Sequence, residues 1–174
     1  IQTSLPGTRV QVLDKSVGVT AGRLAAIGGD LVDEVRVAHA VEPLAKALRS
    51  TQGDILLVIG ASAITDRRDV IPAALMAAGG RIRHFGMPVD PGNLLLLGEL
   101  DGRPVLGLPG CARSPRLNGV DWVLQRLGAG LPVEAASIMG MGVGGLLAVV
   151  PGGPVRGALA SALNEMVGKL RGIV

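Results

Sequence analysis

The chain has 174 residues, enough for one domain with a complete hydrophobic core. Apolar residues make up 48% and charged residues 18%, which excludes a disordered chain, and with Phe85 and Trp122 as the only aromatics the core must be aliphatic. The net charge of +3 comes without a long Lys/Arg run or stacking aromatics, which argues against nucleic acid and fits a small anionic ligand or an ordinary solvated surface.

From the start, IQT reads as the tail of a strand, and a helix is expected over Thr20 to Ile27, stopped by Gly28-Gly29. A strand is expected from Leu31 to Val37. Val41, Leu44, Ala45 and Leu48 then carry the i, i+3, i+4, i+7 spacing of a helix buried on one face. The run Ile55 to Ile59 reads as a strand, and Ile71, Ala74, Leu75 and Ala78 as a helix closed by Gly79-Gly80. Strands follow at Arg81 to Phe85, Leu94 to Leu97 and Pro104 to Leu108, the last two joined by a tight Asp101-Gly102 hairpin. Val120, Val123, Leu124 and Leu127 mark another helix, near whose buried stripe Trp122 packs.

Alternating strands and helices in the first half imply a mostly parallel sheet between two helical layers, and the hairpin makes that sheet mixed. The expected fold class is therefore a three-layer α/β/α sandwich. Residues 1–132 are expected to form this domain. Residues 133–174 read as a Gly-rich extension packed on it, ending in a helix marked by Leu159, Leu163, Met166 and Leu170. The first residue, Ile1, suggests a fragment of a longer protein. No apolar stretch reaches the roughly 20 residues of a membrane helix, and no signal peptide is visible, so a cytoplasmic protein without membrane contact is expected. Cys111 is the only cysteine, which excludes an intrachain disulfide and a Cys-rich metal centre.

The most informative stretch is Ile55 to Pro72, where an apolar strand breaks at a small-residue turn and leads into a helix. Free backbone N–H groups at such a corner suit an anion. A second corner lies at Val105 to Cys111 and a third at Pro91-Gly92. Several such corners along one sheet edge suggest a ligand crevice.

In order and spacing these motifs resemble the molybdopterin-binding domain of molybdenum cofactor biosynthesis proteins, in its Mog-like and MoeA-like branches. The family's Gly-Gly-Thr-Gly turn, three spacers and Arg-Asp-Val-Thr-Pro correspond to Ala61-Ser62-Ala63-Ile64, Thr65-Asp66-Arg67 and Arg68-Asp69-Val70-Ile71-Pro72. Its Pro-Gly-Lys-Pro element corresponds to Pro91-Gly92-Asn93-Leu94, and its Leu-Pro-Gly-Asn-Pro-x-Ser to Leu108 through Ser114. Asp14 matches an acid in a helix-opening loop. The match covers about residues 10–127, nearer the MoeA-like branch. It departs from the pattern at the Ala-Ser-Ala-Ile turn, at Asn93 in place of Lys, at Cys111 in place of Asn, and at His39, where the Mog branch has an acid.

The resemblance implies a phosphorylated pterin dithiolene ligand, with Mg²⁺ and ATP or AMP as companions, and adenylylation or molybdate insertion as the chemistry. The departures favour a second reading, a binding module serving a transferase partner or a fused domain. A nucleotide pyrophosphatase relative is the third. A homodimer or trimer is implied by analogy, as are other cofactor biosynthesis proteins as partners. Asp69 would hold the metal or orient a phosphate; its bland role is a helix N-cap. Gly60, Ala61, Ser62 and Ala63 would cradle phosphate or pterin, or form an ordinary turn, and Arg67 and Arg68 would clamp it or stay solvated. Asp90, Pro91, Gly92 and Asn93 would line the opposite wall, or make a plain Pro-Gly turn. Pro109, Gly110, Cys111 and Ser114 would form a further wall, with Ser114 also capping the next helix and Cys111 a packed thiol rather than a nucleophile. Asp14 would cap its helix or touch the pterin. His39 and His84 read as hydrogen-bonded structural histidines.

Overall fold

A computed structural model describes residues 1–142 of the chain. In chain order the elements are β1 (Gln2–Ser4), α1 (Val10–Ala25), β2 (Arg36–Ala38), α2 (Val41–Ser50), β3 (Leu56–Ile59), α3 (Val70–Ala77), β4 (Arg81–Phe85), β5 (Leu96–Leu100) and β6 (Arg103–Leu108). A 3-10 turn (Gly110–Arg113), α4 (Gly119–Gly128) and the short α5 (Ala135–Met139) follow. The expected terminal helix at Leu159 to Leu170 lies outside the described residues.

Alternation along the strands fixes the layers, because successive side chains leave a strand on opposite faces. From β3, Leu56 and Val58 join Leu44, Ala45 and Leu48 of α2 and Ile71, Ala74 and Leu75 of α3 in one core. Ile59, with Leu106 and Leu108 of β6, joins Leu24 of α1, Val120, Val123 and Leu124 of α4 and Ile138 of α5 in the other. The result is the three-layer α/β/α sandwich the sequence implies. Its sheet runs β2-β1-β3-β6-β5-β4. The first four strands are mutually parallel, and β5 and β4 are antiparallel additions. Each fully buried Leu contributes about 1.5–3 kcal/mol relative to exposure. The buried side chains of both cores are aliphatic, and Trp122 and Phe85 pack only at their margins.

Several stop and turn signals act as read. Gly79 takes φ 93° after α3, and the Gly80 N–H donates to the Leu75 carbonyl, closing the helix in a left-handed cap. Asp101 and Gly102 take φ 51° and 76°, the paired positive values of a tight hairpin between β5 and β6.

Three expectations are corrected. The first helix begins at Val10, ten residues before the expected Thr20, although Gly18, Gly22 and five β-branched residues lower its intrinsic propensity. Packing of Leu13, Ser16, Thr20 and Leu24 on the sheet overrides that preference. The expected strand from Leu31 to Val37 shrinks to Arg36–Ala38. Leu31 and Val32 are exposed, and the acids Asp33 and Glu34 interrupt the run. The strand expected at Leu94 to Leu97 starts at Leu96 and runs to Leu100.

Candidate functional site

The chain leaves β1 for α1 on one face of the sheet and leaves β3 for α3 on the other. Strands β1 and β3 are neighbours, so the direction of winding reverses between them. Open α/β sheets place their ligand crevice at the carboxyl ends of such strands. The turn after β3 and the turn after β6 both lie on this edge.

In the turn after β3, Gly60 is required by space. A Cβ there would stand 2.8 Å from the Ser62 carbonyl oxygen and 3.0 Å from Ile71 Cδ1. Beyond it, the Ala61 N–H donates to Thr3 Oγ1 at 2.9 Å, Thr3 Oγ1 lies 2.7 Å from His39 Nδ1, and His39 Nε2 lies 2.8 Å from Ser62 Oγ. Hydrogen-bond accounting assigns the protons. Thr3 is fully buried, and its one hydroxyl proton has His39 Nδ1 as its acceptor. His39 therefore carries its proton on Nε2 and donates to Ser62, leaving the Ser62 proton free to point outward. In this state His39 is a donor rather than a base, and Ser62 is a directed hydrogen-bond donor rather than an activated nucleophile.

Asp69 sits at the N-cap position of α3 but makes no side-chain cap to that helix, correcting the N-cap expectation. Its Oδ2 turns back to the preceding loop, accepting the Thr65 N–H at 2.6 Å, the Asp66 N–H at 2.8 Å and the Thr65 hydroxyl at 3.2 Å. The N–H bonds from Asp66 and Thr65 hold its carboxyl below the ordinary carboxylate value. Arg68 is exposed and donates Nε to Asp66 Oδ1 at 3.0 Å, while its own N–H reaches the same oxygen. Thus the loop's N–H groups at Thr65, Asp66 and Arg68 bond within the loop itself.

The corner after β6 is tied to this one, and the Pro91-Gly92 loop to the start of α4. Arg113, in the turn after β6, donates Nη2 to the Gly60 carbonyl at 3.0 Å and Nη1 to Ser16 Oγ at 2.6 Å. The Asp90-Pro91 peptide is cis, Gly92 takes φ 133°, and the Gly119 N–H donates to the Pro91 carbonyl at 2.8 Å. A Cβ on Gly92 would stand 2.8 Å from Gly119 N, so this loop packs backbone to backbone on the start of α4. The side chain of Asn93 is exposed while its carbonyl accepts the Met87 N–H. Burial pushes the Cys111 thiol up, and the nearby Asp90 carboxylate adds to that, so the sulfur stays protonated. Asn118 Nδ2 approaches Cys111 Sγ at 3.9 Å. Pro109 is buried, and Gly110 is exposed at the start of the 3-10 turn.

Two expected caps are corrected. Ser114 does not cap α4; Asn118 does, in a capping box with Asp121, because the helix starts five residues later. Asp14 does not open α1 either. It lies in the second turn of that helix, exposed, and pairs with Arg36 Nη2 at 2.7 Å.

Sequence reading missed Arg23. Its Nε pairs with Asp121 Oδ1 at 2.6 Å, Nη1 bonds the Ala112 carbonyl, and Nη2 bonds the Ser114 and Arg116 carbonyls. One side chain thereby clips α1 to the β6–α4 connection. It also missed Thr3, which reads as an ordinary strand residue, and Arg113, an isolated arginine within the Leu108–Ser114 motif. On the α1 side of the edge lies a cavity of about 560 Å³, lined by Arg9, Gln11, Val12, Lys15, Ser16 and Arg113. Among the described residues no three His, Cys, Asp or Glu side chains form a group that could hold a metal ion, and no helix is long and apolar enough to cross a membrane.

No protein-family model matches the chain, and no curated protein matches it. Among solved structures it is similar to a molybdopterin biosynthesis MoeA protein from Pyrococcus horikosii, at 18% identity and a TM-score of 0.48 over 71% of this chain. The similar region is 32% of that protein, so the chain spans about a third of its length.

Proposed function

We propose that this chain is a molybdopterin-binding domain of molybdenum cofactor biosynthesis that holds the phosphorylated pterin for a transferase partner or fused domain. The observation that supports the reading is the joining of two family-like corners: Arg113 ties the turn after β6 to the Gly60 turn. The motif order supplies the ligand class, and the winding reversal between β1 and β3 supplies the crevice. Ser62 offers an outward hydroxyl to the ligand, the turn from Gly60 to Ala63 lets it approach the backbone, and Gly92 and Gly110 shape the far wall.

Binding is favoured over turnover by the state of the polar groups. Asp69 Oδ2 is occupied by the loop, which leaves Oδ1 as its remaining acceptor. One carboxylate oxygen fits a hydrated Mg²⁺ carried in on a ligand phosphate, not a resident ion. His39 is a donor and Cys111 is protonated, so neither activates a nucleophile.

The test is to mix the purified protein with molybdopterin, ATP and Mg²⁺, with and without molybdate, and follow both bound pterin and adenylate. Saturable binding without adenylate formation or consumption is the expected outcome. Turnover of adenylate would replace this reading with the adenylyl- or molybdenum-transferase one. Absence of pterin binding would end the family reading, and hydrolysis of ADP-ribose-like substrates would point to a pyrophosphatase. Ser62→Ala should weaken pterin binding about 2- to 10-fold, the worth of one hydrogen bond.

A further inference from the structure

We infer that the cavity beside α1 is a binding site for a phosphate or pyrophosphate group, built from Arg9, Lys15 and Arg113. Its lining holds these three cations and no acid. The nearest acid in sequence, Asp14, is engaged by Arg36 on β2. None of the three cations forms an ion pair among the described residues.

Arg113 is the anchor. It is half-buried, and loss of solvent lowers its affinity for its proton with no carboxylate to offset the cost. Its protein partners are neutral: the Gly60 carbonyl, Ser16 Oγ and, at 3.5 Å, Gln2 Oε1. Ser16 Oγ can accept from Arg113 because its own proton goes to the Val12 carbonyl. The Nε–H of Arg113 has no protein acceptor among the described residues, and a guanidinium so placed is suited to a planar or tetrahedral oxyanion. Arg9 precedes the first turn of α1 and Lys15 follows on the same helix, so an anion here would also meet the positive end of a 16-residue helix.

The same argument turns away from the Ser62–Asp69 loop a phosphate that brings no metal. There the N–H groups of Ala61, Thr65 and Asp66 are already bonded, and the Asp69 and Asp66 carboxylates would repel a dianion. The basic cavity needs only an anion and stands whether or not the ligand carries a pterin.

Calorimetric titration of the purified protein with inorganic pyrophosphate, and separately with inorganic phosphate, tests the site. Saturable binding that weakens as salt is raised is expected. The exposed pair Arg9→Gln/Lys15→Gln should bind roughly tenfold or more weakly with an unchanged melting temperature, since each loses a charge-assisted contact. Arg113→Lys keeps the charge and should still lose most of the affinity through loss of the fork. Asp69→Asn should leave pyrophosphate binding intact, which separates failure of this site from failure of the pterin reading. No saturable binding to the wild-type protein, or equal binding by the double variant, overturns the inference.

Discussion

Arg23 shows how much of this fold rests on single side chains. Its Nε sits 2.6 Å from Asp121 Oδ1 with side-chain exposures of 9% and 15%, and its remaining donors hold three carbonyls of the β6–α4 connection. Removing one partner of so buried a pair leaves an uncompensated charge, so Arg23→Ala should cost about 3–5 kcal/mol, read by denaturant unfolding. Asp121→Asn should also fall short of wild type, because Oδ2 accepts the Asn118 N–H in the capping box. Thr3→Val should cost about 1–3 kcal/mol by orphaning the Ala61 N–H and His39 Nδ1. Nitrogen chemical shifts of His39 should report the Nε2–H form in the wild-type protein and lose that bias in the variant. Asp69 titrates below its unfolded value of about 3.9, so the stability it lends is complete above that value and disappears as pH falls through the depressed one. The amide signals of Thr65 and Asp66 should move together on that acid limb and stay fixed in Asp69→Asn. The Arg23–Asp121 and Thr3–Ala61 pairings could not be read from spacing, since the partners are 98 and 58 positions apart.

At the scale of elements, the clearest sequence signals were those where local preference and burial agree. The α2 and α3 stripes, the Gly79-Gly80 stop and the Asp101-Gly102 hairpin all satisfy both. The start of α1 was hidden because Val10, Val12, Val17, Val19 and Thr20 speak for a strand while the sheet face beneath them asks for a helix. Glycines within the sheet were another silent feature. A Cβ on Gly107 would stand 2.7 Å from Ile64 Cδ1 and 2.9 Å from Leu96 Cβ, and one on Gly98 would overlap Leu75. Here bare backbone makes room for α3 and the loop before it. Gly107→Ala should therefore destabilise by about 1–3 kcal/mol, with a lowered denaturation midpoint, despite alanine being the better strand residue. On the opposite edge, Arg81 and Arg83 of β4 both reach Glu99 of β5, at 2.6 and 2.7 Å. That places charge along an open rim and discourages further strand pairing.

Across the whole molecule, the ladder between β3 and β6 is the interior of the sandwich, with four aligned pairs covered by helices on both faces. Strand β2 sits at the rim with three residues, two of them exposed. Amide hydrogen exchange should therefore be slowest at Val58 and Leu106 and fastest at Arg36 and Val37, read as residue-resolved rates. The small-residue corners at the strand ends were legible in the sequence, but the charge around them was not, because Arg9, Lys15 and Arg113 are scattered along the chain and meet only in three dimensions. One consequence concerns α1. Lys15 and Ser16 stand in the wall of the basic cavity, and two turns further along the same rigid rod Arg23 bolts it to the 112–116 segment that also carries Arg113 at its head. The two halves of the anion cradle are thus braced against each other before any guest arrives. Cutting the bolt should loosen the grip on pyrophosphate without removing one of its cations.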